Sequence, residues 1–179
     1  MLPSGNSCSD SSAIYFKQNV YCFGGYLNNN RLALSARFDL YQNRWVKLIP
    51  MPWSDFCCHS VIFKENISIA GCTHKNILLY SIDNESFSIV PYSFALHTRK
   101  ILISSNRLYL IECCFNGWIY ESKIGDEYSW KQIGKSVIKF NPLQVFCTYN
   151  KGGVYIASAG VCNDDFYKFS LNKKVITKL

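Results

Sequence analysis

A chain of 179 residues, 49% hydrophobic and rich in rings (Tyr 12, Phe 12, Trp 4), is long enough for about one domain and too apolar to be disordered as a whole. Charged residues make up only 17%, and Lys+Arg 19 against Asp+Glu 12 leave +7, a mild excess far from a composition that coats nucleic acid. No run of ~18 uncharged apolar residues occurs, and the opening MLPSGNSCSDSS has neither a basic nor an apolar signal region, so neither a membrane span nor a secretory signal is expected.

Nine cysteines, with Cys57-Cys58 and Cys113-Cys114 adjacent, cannot all pair internally, and adjacent cysteines rarely bridge each other. The simplest reading is free thiols in a reducing, cytoplasmic setting, buried as small apolar residues. The sequons Asn66-Ile67-Ser68 and Asn84-Glu85-Ser86 fall where tight turns are expected and read as turn chemistry.

Seven Ala, two Met and no window of sustained i, i+3, i+4 apolar spacing argue against helix. In chain order, short β-branched and aromatic runs alternate with Asn, Gly, Ser and Lys clusters, as in VIFKENISIAG (61–71) and ILISSNRLYLI (101–111), each reading as two strands and a tight turn. Four segments align: Val20-Tyr21-Cys22-Phe23-Gly24-Gly25, Ile67-Ser68-Ile69-Ala70-Gly71-Cys72, Leu108-Tyr109-Leu110-Ile111-Glu112-Cys113 and Val154-Tyr155-Ile156-Ala157-Ser158-Ala159, starting 47, 41 and 46 residues apart. Apolar strands precede each at 13–16, 60–63, 101–104 and 145–149. A third and a fourth strand follow, with Phe38 before Trp45, Tyr80 before Phe87, Tyr120 before Trp130 and Tyr167 before Val175. The first two intervals are seven residues, and the later two are longer. The repeating unit is therefore four strands long.

An apolar strand ending in Gly-Gly, then an aromatic residue and a Trp about seven positions on, repeated at this period, resembles the kelch repeat of β-propellers. Only Gly24-Gly25 keeps the double glycine, Gly71-Cys72 keeps one, and the Trp position holds Trp45, Phe87, Trp130 and Val175. The resemblance implies an all-β, kelch-like β-propeller of about four four-stranded blades, at 12–50, 57–91, 99–134 and 144–179. Four blades are fewer than kelch rings usually have, so the ring is expected to be small or incomplete, or completed by further blades from a partner. In such repeats the third-strand Tyr and fourth-strand Trp face the neighbouring blade and are core residues.

The chain offers little chemistry. Three histidines (His59, His74, His97) and the group Cys57-Cys58-His59 with Cys72 are the only metal-ligand types in one neighbourhood. Strand alternation splits Cys58 from Cys57 and His59, and no C-x-x-C pair exists, so no metal and no cofactor is expected. No nucleophile elbow, P-loop, dinucleotide fingerprint or H-E-x-x-H motif occurs. Basic residues spread from Lys17 to Lys178 without an aromatic stacking pattern, against nucleic acid as a partner. In a blade the second-to-third-strand loops share a rim with the blade-to-blade connections. That rim would carry 25–36, 50–56, 73–76, 91–99, 114–117 and 134–143, and with them Tyr26, Arg31, Trp53, Asp55, Phe56, His74, Arg99 and Phe115 as candidate partner contacts. The expected function is a non-catalytic protein-binding module or structural subunit of a larger complex. Kelch proteins resemble ubiquitin-ligase adaptors or cytoskeletal contacts; 179 residues leave no room for an accompanying BTB or F-box segment, so that role would need a partner chain. The alternatives are an enzyme working on a sugar-like ligand in a central pocket through His59 or His97, and an RNA-associated subunit.

Overall fold

The computed structural model describes residues 8–63, 65–91, 99–104, 106–112, 118–123, 129–135, 145–150, 153–158, 165–170, 173 and 175–179. Strands dominate and no helix occurs among these residues, hence none long and apolar enough to cross a membrane. The chain divides into two compact units, Met1–Ser93 and Phe94–Leu179.

The first unit holds two four-stranded antiparallel sheets. Sheet I is β1 (Ser12–Phe16), β2 (Asn19–Phe23), β5 (Ser35–Asp39) and β6 (Arg44–Lys47), interrupted by a two-stranded ribbon of β3 (Tyr26–Leu27) and β4 (Asn30–Arg31). Sheet II is β7 (His59–Phe63), β8 (Asn66–Ala70), β9 (Asn76–Ser81) and β10 (Ser86–Pro91). The second unit repeats the plan. Sheet III is β11 (Arg99–Ser104), β12 (Arg107–Glu112), β13 (Trp118–Lys123) and β14 (Trp130–Lys135); sheet IV is β15 (Val145–Asn150), β16 (Gly153–Ser158), β17 (Asp165–Ser170) and β18 (Val175–Lys178).

Local chemistry sets the turns. Lys17 and Gln18 both have positive φ (45° and 61°), as do Asn28 and Asn29 (48° and 62°), the two-residue geometry that matches strand twist. The third-to-fourth-strand turns recur with a polar side chain at their entry. Asp39 Oδ1 accepts from the Tyr41 and Gln42 amides at 3.0 and 2.9 Å. Ser81 Oγ accepts from Asn84 N at 3.4 Å, and Ser170 Oγ from Lys173 N at 3.3 Å. Asn84 thus lies in a turn, whereas Asn66 opens β8 just after one.

These three equivalent turns fix the register. Phe38 faces Trp45, Tyr80 faces Phe87 and Phe169 faces Ile176. The last pair corrects the sequence-based match of Tyr167 with Val175, because Tyr167 lies opposite Lys178. In sheet III a longer connection and an irregularity between Ile119 and Tyr120 place Trp130 opposite Ser122 and Tyr120 opposite Gln132. One row therefore recurs across all four sheets: Tyr15–Val20–Phe38–Trp45, Ile62–Ile67–Tyr80–Phe87, Ile103–Leu108–Ser122–Trp130 and Tyr149–Val154–Phe169–Ile176. The face bearing it is called the leading face, and the opposite one, with Tyr21, Tyr109 or Tyr155, the trailing face.

Each unit buries a trailing face against the next sheet's leading face. In the first, Ile14, Phe16, Tyr21 and Phe23 of sheet I pack on Ile62, Ile67, Ile69, Leu78, Tyr80 and Phe87 of sheet II. Tyr80 is the hub, with ring centroids 5.6 Å from Phe23, 5.1 Å from Phe87 and 6.3 Å from Tyr21. Tilted ring pairs of this kind add about 0.5–1.5 kcal/mol each beyond area burial. The buried Tyr80 hydroxyl is pushed up to about 12, first by burial and then by Glu85 and Tyr21. In the second unit Leu102, Tyr109, Ile111 and Ile119 of sheet III pack on Val154, Tyr167 and Phe169 of sheet IV. The first strands of the paired sheets lie side by side, β1 with β7 and β11 with β15. At the first of these seams Ser12 Oγ and Ser60 Oγ are 2.5 Å apart.

Candidate functional site

The connection from sheet I to sheet II, residues 48–58, is laced to its surroundings by backbone hydrogen bonds. Leu48 N donates to Ser35 O and Met51 N to Ala33 O, both at 3.1 Å, and Asp55 N donates to Leu32 O at 3.1 Å. Gly25 N donates to Asp55 O at 2.9 Å, while Cys72 N donates to Phe56 O at 3.2 Å. Asp55 stands at the crossing. Its side chain is 2% exposed, and its Oδ1 accepts from Phe56 N (2.9 Å), Cys72 N (3.0 Å), Thr73 N (3.1 Å) and Thr73 Oγ1 (2.8 Å). One carboxylate thereby ties the loop after β8 to the inter-sheet connection, with hydrogen bonds of the stronger, charge-assisted kind.

Two glycines make room for it. A Cβ on Gly71 would overlap the Asp55 carboxylate, and Gly24, at φ +66°, would place one 2.8 Å from Asp55 O. The glycine at the end of the second strand in the first two repeats thus serves close approach of the connecting segment.

Two ring clusters flank Asp55 in sequence. Phe56 stacks at 5.6 Å on Tyr26 at the start of the ribbon, and the Arg31 guanidinium carbon from the other ribbon strand lies 5.3 Å from the Phe56 ring centre. Trp53 packs on His74 at 4.7 Å, with their planes at 31°. Arg31 is exposed, while Tyr26, Trp53, Phe56 and His74 are half-buried. A cation over a ring is worth about 0.5–1 kcal/mol at an exposed site, enough to orient Arg31 rather than hold the fold.

The structure thus brings together six of the eight candidate residues. Asp55 differs from the contact residues beside it: its carboxyl is buried and takes four protein donors. Arg99 opens β11 in the other unit, opposite Glu112, and Phe115 lies outside the described residues, as do His97 and most of the loops expected at 91–99, 114–117 and 134–143. Thr73 was missed by sequence reasoning. It makes two of the four contacts to Asp55, and nothing in the local pattern links residues 18 apart. The stretch read as one long loop at 25–36 contains the β3–β4 ribbon that carries Tyr26 and Arg31.

A small recess beside this node, about 10 Å³ in volume, is lined by Met51, Trp53, Asp55, Cys58, Ile69, Gly71, Asn76 and Leu78. That is room for about one water and far less than a small-molecule pocket needs. Among the described residues no group of three or more His, Cys, Asp and Glu converges on a point. Burial pushes the Cys22 thiol up to about 11, with Cys8 adding to it, which favours the neutral thiol over the reactive thiolate. What the arrangement can do is present an oriented cation and aromatic faces on a rigid base. Comparison with known proteins found no matching family model and no matching curated relative.

Proposed function

We propose that the chain is a kelch-like, non-catalytic binding module, its four sheets forming the blades of a small or incomplete β-propeller, and that it holds a protein partner through the loop surface around Phe56. The recurrence of one cross-sheet row and one face-to-face packing mode supports the propeller reading. The binding reading rests on one observation: Arg31 over Phe56 over Tyr26, set on a connection that Asp55 fixes from beneath. Prepositioned aromatic and Arg side chains lose little entropy on binding and are the residue types that anchor interfaces. The exposed guanidinium favours a partner with a carboxylate at the contact. A structural subunit or an adaptor of the ubiquitin-ligase kind in the cytoplasm is the biological setting such a module would suit.

The test is affinity capture from the native source with wild-type chain, Arg31→Glu and Phe56→Ala side by side, followed by mass determination of the intact complex. A partner held by the wild type is expected to lose at least about 2 kcal/mol, roughly thirtyfold in affinity, with either variant, while circular dichroism stays unchanged. Equal capture by all three proteins would overturn the assignment of this surface.

A further inference from the structure

The corner that Asp55 enters also gathers sulfur. Cys8, Cys22, Cys57, Cys58 and Cys72 are thiols in this structure, and two of them sit on facing segments at the node. Extending the β7–β8 register by two residues beyond His59↔Ala70 sets position 57 against position 72. The backbones stay joined there, since Cys72 N donates to Phe56 O at 3.2 Å and to Asp55 Oδ1 at 3.0 Å. Antiparallel segments held by such bonds run ~5 Å apart, inside the ~4.4–6.8 Å between α-carbons that a disulfide spans.

The adjacent thiol is placed differently. Cys58 belongs to the core cluster between sheets I and II, its Sγ standing close to where a Cβ on Gly24 would be, whereas Cys57 is buried outside that cluster. Cys57 also holds φ at +49°, a left-handed conformation that a residue with a Cβ adopts at a cost and that concentrates where a segment has a task. Cys72 occupies the repeat position that is Gly25 in the first sheet, so a thiol stands in place of a glycine at the corner facing Cys57.

We infer that Cys57 and Cys72 form a reversible disulfide, which makes the Asp55 node a redox-responsive clamp. The oxidant is a low-molecular-weight disulfide such as oxidised glutathione. The Cys72 thiolate, half-buried and the more open of the two, attacks one sulfur of that disulfide; a mixed disulfide forms and one glutathione thiolate leaves. The Cys57 thiolate then attacks the Cys72 sulfur and expels the second glutathione. Two protein thiols are oxidised to one disulfide, one glutathione disulfide is reduced to two thiols, and the two protons released by the cysteines pass to the departing thiolates. In a reducing compartment such a bond is transient and reports oxidant. Closed, it adds a covalent tie beneath Phe56 and His74 beside the carboxylate bonds of Asp55. Both cysteines lie in the first unit and no partner is needed, so this inference and the binding reading fail separately.

The test equilibrates the full chain in glutathione buffers of graded redox ratio, blocks the remaining thiols and maps the peptides by mass spectrometry. The expected product is one internal link, Cys57 to Cys72, reversed by reductant and formed without change in circular dichroism. Cys72→Ser should lose the link, Cys57→Ser should stop at glutathione on Cys72, and Cys58→Ser should keep the link, which separates the two neighbours on one peptide. The wild-type map decides alone where a variant does not fold. The linked protein should unfold several degrees above the reduced one, because a bond closing a short loop constrains the unfolded chain. A folded chain without the Cys57–Cys72 link at the most oxidising ratio overturns the inference. So does a link that forms only in urea, an equal yield of Cys58 to Cys72, or a linked protein with a lowered midpoint.

Discussion

The end of the second strand is built in two opposite ways in the two units. In the first, Gly24 and Gly71 vacate the corner, and a carboxylate enters from the connection at Asp55, where four donors satisfy one oxygen. In the second unit the equivalent residues are Ser158 in sheet IV and, in sheet III, Glu112, which is 2% exposed and has no hydrogen-bond partner for Oε2 among the described residues. Its charge adds to burial in pushing the Tyr120 hydroxyl upward. The same backbone corner is thus a stabilising node in the first unit and a cost in sheet III. A buried carboxylate helps only when its lone pairs are occupied.

The strongest way to break this contrast is Asp55→Ala. It strands the amides of Phe56 and Thr73 and leaves Cys72 N with Phe56 O alone, and at about 1–3 kcal/mol for each unsatisfied donor the loss should reach about 3–5 kcal/mol. Gly71→Ala should cost about 2–3 kcal/mol by crowding the same carboxylate. Hydrogen exchange should place both losses in the first unit, and a thermal transition unmoved by Asp55→Ala would refute the node. Glu112→Met should act in the reverse direction, stabilising the second unit by about 1–2 kcal/mol because an apolar side chain replaces a buried, unpaired polar oxygen. A drop in its thermal midpoint would mean that Glu112 holds something the fold requires.

The smallest effect is the share of the alkaline pH dependence that Tyr80 supplies to the first unit. Tyr80 titrates near 10.0 when unfolded and is pushed up to about 12 in the fold. Its neutral form is favoured by the native state, so its contribution is intact below pH 10 and is lost as pH rises towards 12. Tyr80→Phe should flatten the stability-against-pH curve over that window. An unaltered slope would show that the hydroxyl is not what titrates.

The strands were readable because alternation and turn residues are local. All four second strands and the strands before them lie where the aligned segments put them. The cross-strand partners in the last two repeats do not follow the motif positions, because ring identity is a weaker guide than residue count from the turn. Counting from Ser170 as from Asp39 and Ser81 gives Phe169 and Ile176, an apolar partner in place of a Trp. Asp55 was the reverse case. Its residue type and its place beside Phe56 suggested solvent, and only the approach of Cys72 and Thr73 from another strand pair turns it inward. No single-sequence pattern records that approach.

The β3–β4 ribbon ends in Asn28 and Asn29, two exposed residues in left-handed geometry, and its own strands are only two residues long. Its anchorage sits at the base, where Leu32 N reaches Gly25 O and Tyr26 N reaches Ser9 O. A hairpin rooted at its base and unburdened at its tip can change length and lettering while the sheet beneath keeps its pattern, so this is where variation can retune recognition without retraining the fold.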